Sequence, residues 1–96
     1  MLNIETIKNG ELFRVTFTAT AAEGTPVALA GSFNDWDPDV MQLQDCGGKL
    51  HKAVLELPAG YYEYKFIIDG EWLLDDTNPN FSANDFGTLN SFFVLE

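Results

Sequence analysis

The chain reads as an all-β sandwich on three observations. Apolar and polar residues alternate at period two, turns rich in Gly, Pro and Asp recur, and no window carries a helical period of 3.6. About seven short antiparallel strands, with turns roughly ten residues apart, fit two packed sheets.

The elements follow in order. Phe13, Val15 and Phe17 alternate with Arg14, Thr16 and Thr18, the pattern of a half-buried strand. Thr25-Pro26 opens an apolar run from Val27 to Ala30, and Gly31 closes it. A weaker strand is expected from Met41 to Gln44, ahead of the Gly47-Gly48 turn. Beyond that turn, Ala53, Leu55 and Leu57 alternate with Lys52, Val54 and Glu56. Pro58-Ala59-Gly60 turns into the strongest strand, Tyr61 to Asp69. There Tyr62, Tyr64, Phe66 and Ile68 share one face, and Tyr61, Glu63, Lys65 and Ile67 the other. Asp69-Gly70 is a hairpin signal that delivers Glu71-Trp72-Leu73. The stretch from Asp75 to Asp85 is rich in Asp, Asn and Pro and reads as a loop, and a last strand is expected from Leu89 to Leu95.

With 96 residues the chain is expected to be one domain, 1–96. At this size about 60–65% of the unfolded surface is buried, so stability is expected to be moderate. There are 15 acidic and 5 basic residues, a formal net charge of −10. That balance argues against nucleic acid and anionic membranes, which need lysine and arginine to meet phosphate. Its simplest role is solubility. Cys46 is the only cysteine, so no internal disulfide forms, and no Cys/His spacing suggests zinc. A reducing compartment, the cytoplasm, is expected. The opening MLNIETIKNG is not a signal peptide, and no stretch has the 18 or so apolar residues of a spanning helix. Asn80-Phe81-Ser82 matches a glycosylation acceptor, which carries no weight without secretion.

Catalytic inventories come up short. The only histidine, His51, opens a strand with no Ser or Cys beside it in sequence, and reads as structural or exposed. Cys46 has no basic neighbour to lower its pKa. Asp75 and Asp76 are adjacent, and Asp35, Asp37 and Asp39 alternate, but all lie in turn-like segments of exposed character. A catalytic acid needs an apolar pocket instead. The same Asp35-x-Asp37-x-Asp39 run opens like a calcium loop, yet Val40 and Cys46 stand where that loop requires Gly and Glu. No phosphate-cradling glycine motif is present. No enzymatic activity, cofactor or metal site is expected.

Two tryptophans remain. Trp36 sits in the loop-building stretch GSFNDWDP, and Trp72 lies two residues past the Asp69-Gly70 turn. A flat indole matches the apolar face of a pyranose ring, while Lys, Asn and Thr reach the hydroxyl edge. An indole at either place also serves as a cover for one end of the core, and the pattern alone leaves both readings open.

Three blocks carry a resemblance: GSFNDWDP (31–38), LPAGYYEYKFIIDGEW (57–72) and FGTLNSF (86–92). In order and spacing they resemble the family 48 carbohydrate-binding modules, over about Val27 to Val94. These include the glycogen-binding domain of AMP-activated protein kinase β subunits and the N-terminal domains of isoamylases and glycogen-branching enzymes. The resemblance implies an immunoglobulin-like β-sandwich that binds α-1,4-linked glucose chains such as glycogen, starch and maltooligosaccharides. It implies Trp36 and Trp72 as stacking platforms and Lys65, Thr88 and Asn90 as partners of sugar hydroxyls. Phe86 would press against the ligand. Phe86 departs from the bulky aliphatic usual in the family, and Ser91 stands where many members carry Asn, a position whose role is structural. Two further functions are compatible: an accessory or excised domain of an α-glucan-acting hydrolase or branching enzyme, and a protein-interaction subunit using the Phe92 and Val94 face. The expected partner protein is accordingly a glucan-metabolising enzyme or a kinase.

Overall fold

The computed structural model describes residues 2–96. In chain order its strands are β1 (Leu2–Ile7), β2 (Leu12–Thr20), β3 (Val27–Gly31), β4 (Gln44–Asp45) and β5 (Leu50–Leu57). They continue with β6 (Gly60–Ile68), β7 (Glu71–Leu73), β8 (Phe81–Ala83) and β9 (Leu89–Leu95). They form two antiparallel sheets, one ordered β1-β2-β5-β4 and one β3-β6-β9-β8, with β7 paired to β6. The all-β sandwich expected from the sequence is the fold.

Period-two alternation decides which side chains meet between the sheets. Phe13, Val15 and Phe17 of β2 face Tyr64 and Phe66 of β6 and Phe93 and Leu95 of β9 in one buried cluster. Phe17 is its hub, with ring centroids 5.2 Å from Tyr64, 5.8 Å from Phe93 and 5.7 Å from Phe33. Edge-on and tilted rings avoid the repulsion of face-to-face quadrupoles. Full burial of each such apolar side chain stabilises by about 1.5–3 kcal/mol. Opposite faces of β6 therefore have opposite fates. Tyr62, Tyr64, Phe66 and Ile68 join the core, and Lys65 is turned to the outer face.

Three elements differ from the sequence reading. β1 was not expected: it is an edge strand whose residues are exposed or half-buried, so LNIETI lacks the strong alternation of β2. β8 lies inside the segment read as loop. Only three residues long, it pairs Phe81, Ser82 and Ala83 with Ser91, Asn90 and Leu89. The strand expected from Met41 to Gln44 is instead a crossing between sheets. Leu29 N–H donates to Met41 O and Leu43 N–H to Val27 O, stitching the segment to β3, before Gln44–Asp45 pairs with β5.

The reading of Asp75 as an exposed turn residue is also corrected: it is 3% exposed. Tyr64 OH donates to its Oδ2 at 2.6 Å, while Thr77 N–H and Oγ1–H donate to Oδ1. Asp75 N–H donates to Oγ of the fully buried Ser91. Burial opposes ionisation, but the hydrogen bonds from Tyr64 and Thr77 outweigh it and hold the Asp75 carboxyl below its ordinary value. A catalytic acid requires the opposite shift. Ser91 thus has a structural place, facing the core. His51 is buried as well, with its Nε2 3.1 Å from the Ala21 carbonyl oxygen.

Candidate functional site

The outer face of the β3-β6-β9-β8 sheet carries a groove of about 720 Å³, lined by Trp36, Lys65, Trp72, Phe86, Thr88 and Asn90. These are the six positions singled out from the sequence, and three separate chain segments bring them together.

The first wall is the turn after β3. Asn34 fixes it by accepting from Gly31 N–H at 3.0 Å through Oδ1 and donating through Nδ2 to Leu29 O at 3.0 Å. Gly31 is required by space. A Cβ there would lie 2.5 Å from the Glu63 carbonyl oxygen and 2.7 Å from the Phe33 ring. Ser32 ties the turn to β6, donating N–H to Glu63 O and accepting Glu63 N–H at Oγ. Asp35 and Trp36 then both adopt φ +57°, the left-handed region that non-glycine residues avoid. The strain has a result. Trp36 N–H returns to Gly31 O at 2.9 Å, and the indole packs on Ala28, Ala30 and Ile67, a small apolar patch on the outer face. Trp36 is thus half cover of an apolar patch and half groove lining.

The second segment is the β6–β7 hairpin. Asp69 at φ +52° and Gly70 at φ +80° give the tight turn expected of Asp-Gly. Trp72 pairs with Ile67 and stands on the outer face, 43% exposed. This aromatic is in solvent, not under the core.

The third segment is the β8–β9 connection, governed by Asn84. Its Oδ1 accepts Phe86 N–H at 2.9 Å and Thr88 N–H at 3.1 Å. Its Nδ2 donates to Thr88 Oγ1 at 2.7 Å and to Asn90 Oδ1 at 2.9 Å. The loop so shaped holds Phe86 out at 91% exposure, beside Gly87 at φ +78°.

Between the walls the polar groups form one chain of contacts. Lys65 Nζ donates to Thr88 Oγ1 at 3.1 Å, and Asn90 Nδ2 donates to Glu63 Oε1 at 2.9 Å. Counting sites decides what a ligand meets. Thr88 Oγ1 already accepts from Lys65 and Asn84, so its own O–H is left to donate outward. Lys65 keeps N–H donors to spare. The groove offers flat apolar platforms with donors and acceptors fixed along their edge. Sequence reasoning missed Glu63, Asn84, Ser32 and Tyr61 as lining residues. The outward phase of Tyr61, Glu63 and Lys65 on β6 was the available signal for two of them.

Among the described residues no group of three or more His, Cys, Asp and Glu could hold a metal ion, and no helix is long and apolar enough to cross a membrane.

A two-sheet antiparallel sandwich with an aromatic-floored, polar-edged groove on one outer face defines a carbohydrate-binding module. The chain belongs to the family described as the glycogen recognition site of AMP-activated protein kinase, which matches residues 14–96. It is 30% identical over 92 residues to 5'-AMP-activated protein kinase subunit beta-2 of Mus musculus and of Homo sapiens. Those alignments cover 96% of this chain and 33% of the subunit. With subunit beta-1 of Sus scrofa the identity is 35% over 73 residues, 76% of this chain and 57% of the relative. The chain thus spans 33% of the length of the beta-2 subunits it matches. A maltogenic amylase from S. marinus shares the fold, with a TM-score of 0.80 at 24% identity, covering 100% of this chain and 16% of the amylase chain.

Proposed function

We propose that this module binds α-1,4-linked glucan chains without acting on them, stacking glucose rings on Trp36 and Trp72. Lys65, Thr88 and Asn90 address the hydroxyls, and Phe86 presses on the ligand from the β8–β9 loop. The observation that carries the reading is convergence: residues from three segments, chosen by the blocks they sit in, line one groove. A few stacking contacts of about 0.5–1.5 kcal/mol each beyond area burial correspond to micromolar to millimolar dissociation constants. No turnover accompanies binding. The buried carboxylate Asp75 is held ionised beneath the sheet. Of the groove's two carboxylates, Glu63 is engaged with Asn90 and Asp85 stands exposed on the β8–β9 loop, without the apolar pocket an acid catalyst needs.

Titration with maltoheptaose or β-cyclodextrin, followed by tryptophan fluorescence, tests the proposal. A saturable response that the Trp36→Ala, Trp72→Ala double variant loses supports it. Silence at millimolar ligand, or a response the double variant retains, sinks it. A reducing-sugar assay on starch that shows turnover would overturn the non-catalytic part.

In this reading the module brings a partner to glycogen or starch, and its kinship with kinase β subunits favours a kinase over a glucan hydrolase or branching enzyme. A free, exposed Cys46 suits a reducing, cytoplasmic setting.

A further inference from the structure

We infer that the glucan site extends beyond the two tryptophans to a third platform, formed by Tyr61 and Phe92, that takes the next sugars of the same chain. The inference rests on the glucan-binding reading above and deepens it.

Tyr61 lines the same groove as Trp36 and Trp72, yet stands at its far end. It is 52% exposed and lies on the outer face of β6, opposite Val94 of β9. Its ring meets that of Phe92 at a centroid distance of 5.3 Å and an interplanar angle of 32°. This contact holds the phenol ring against the sheet, so ordering it for a ligand costs little side-chain entropy. Along the outer face the order is aromatic, polar, aromatic. Trp72 stands level with Ile67, Lys65 and Glu63 follow with Thr88 and Asn90 beside them, and Tyr61 comes next. From Ile67 to Tyr61 is six strand positions, roughly 20 Å at about 3.3 Å per residue. That span exceeds a single pyranose, so one sugar cannot use both ends and a chain of several can.

The occupant follows from continuity and charge. Tyr61 shares a groove with the polar row, with Phe92 supporting its ring, and a neutral polymer meets no repulsion from a chain carrying −10. A second copy of the chain does.

The test is a ladder of linear maltooligosaccharides, from maltotriose to long maltodextrins, titrated into wild type, Tyr61→Thr and Phe92→Thr. Threonine keeps strand propensity at both positions. Wild-type affinity should keep rising with chain length, and each variant should lose about two- to tenfold of that rise, the worth of one stacking contact. Equal length dependence in wild type and both variants would overturn the third platform while leaving the tryptophan site standing. Silence of wild type to every length removes the glucan reading itself and the extension with it. A concentration-dependent dimer, seen by light scattering and dissolved by Tyr61→Thr, would assign the patch to self-association and refute the inference.

Discussion

Asn84 is the residue on which the polar side of the groove hangs, and replacing it separates folding from binding. Asn84→Ala removes two acceptor contacts to loop amides and two donor contacts, to Thr88 Oγ1 and Asn90 Oδ1. The loop amides are exposed and water replaces Asn84 Oδ1, so of the roughly 0.5–1.5 kcal/mol usually assigned to each bond only about 1 kcal/mol in total is lost to stability. Binding loses more. Thr88 and Asn90 each keep only one side-chain anchor, Lys65 and Glu63, and the ligand must complete their ordering, at about 0.5–1.5 kcal/mol per side chain. One anchor remains to each, so two side chains in the lower half of that range, at about 0.7 kcal/mol apiece, give about 1.4 kcal/mol, a tenfold weaker dissociation constant. Asn84→Asp is the sharper variant. It keeps the oxygen that accepts the Phe86 and Thr88 amides and deletes the donors. Urea denaturation should therefore place Asn84→Asp close to wild type, while maltoheptaose titration finds it as weak as Asn84→Ala. If Asn84→Asp binds as wild type does, the side-chain donors of Asn84 do not organise the site, and the reasoning fails.

Other outcomes follow from the same geometry. Gly31→Ala forces a methyl against the Glu63 carbonyl and the Phe33 ring. Overpacking of this kind costs about 1–3 kcal/mol, and at this size each kcal/mol lowers Tm by about 4–8 °C, so an unchanged melting curve would contradict it. Asp75 has an ordinary value of 3.8 and is held below it in the fold. The unfolded chain therefore protonates first; the stabilisation stands in full above 3.8 and is lost as pH falls through the lower folded value. Urea midpoints measured across acid pH should fall more steeply for wild type than for Asp75→Asn, and parallel curves would refute the assignment. Tyr64→Phe withdraws the phenol donor from Asp75 Oδ2 and should cost about 1–3 kcal/mol by the same denaturation assay. Phe86→Ala, at an exposed loop tip, should alter stability by less than about 0.5 kcal/mol yet weaken glucan binding several-fold in titration.

What could be read from the sequence had short-range causes. β2 and β6 are legible because burial on one face and solvent on the other write themselves as alternation, and Asp69-Gly70 because its backbone geometry selects those residues. β1 and β8 escape for the converse reason. Edge strands bury neither face fully, so hydrogen bonding to a neighbour, not hydrophobicity, defines them. Trp36 stayed undecided in pattern because its indole covers an apolar patch and lines the groove at once. Asp75 looked exposed because turns favour aspartate. The phenol and serine that bury it come from β6 and β9, out of reach of any local window. Glu63 and Asn84 look like ordinary surface polar residues, and only the closing of β8 onto β9, and β9 onto β6, reveals their partners.

The groove occupies one outer face, and the backs of β2 and β5, with Arg14, Thr16, Lys52, Val54 and Glu56, occupy the other. Docked on a polysaccharide particle, the module lies like a tile, one side adhering and the opposite side presented to the surroundings. Substitutions on that outer side are expected to leave glucan binding unchanged, since none of its residues lines the groove. The two-layered architecture thereby divides adhesion from display, and each can be altered without redesigning the other.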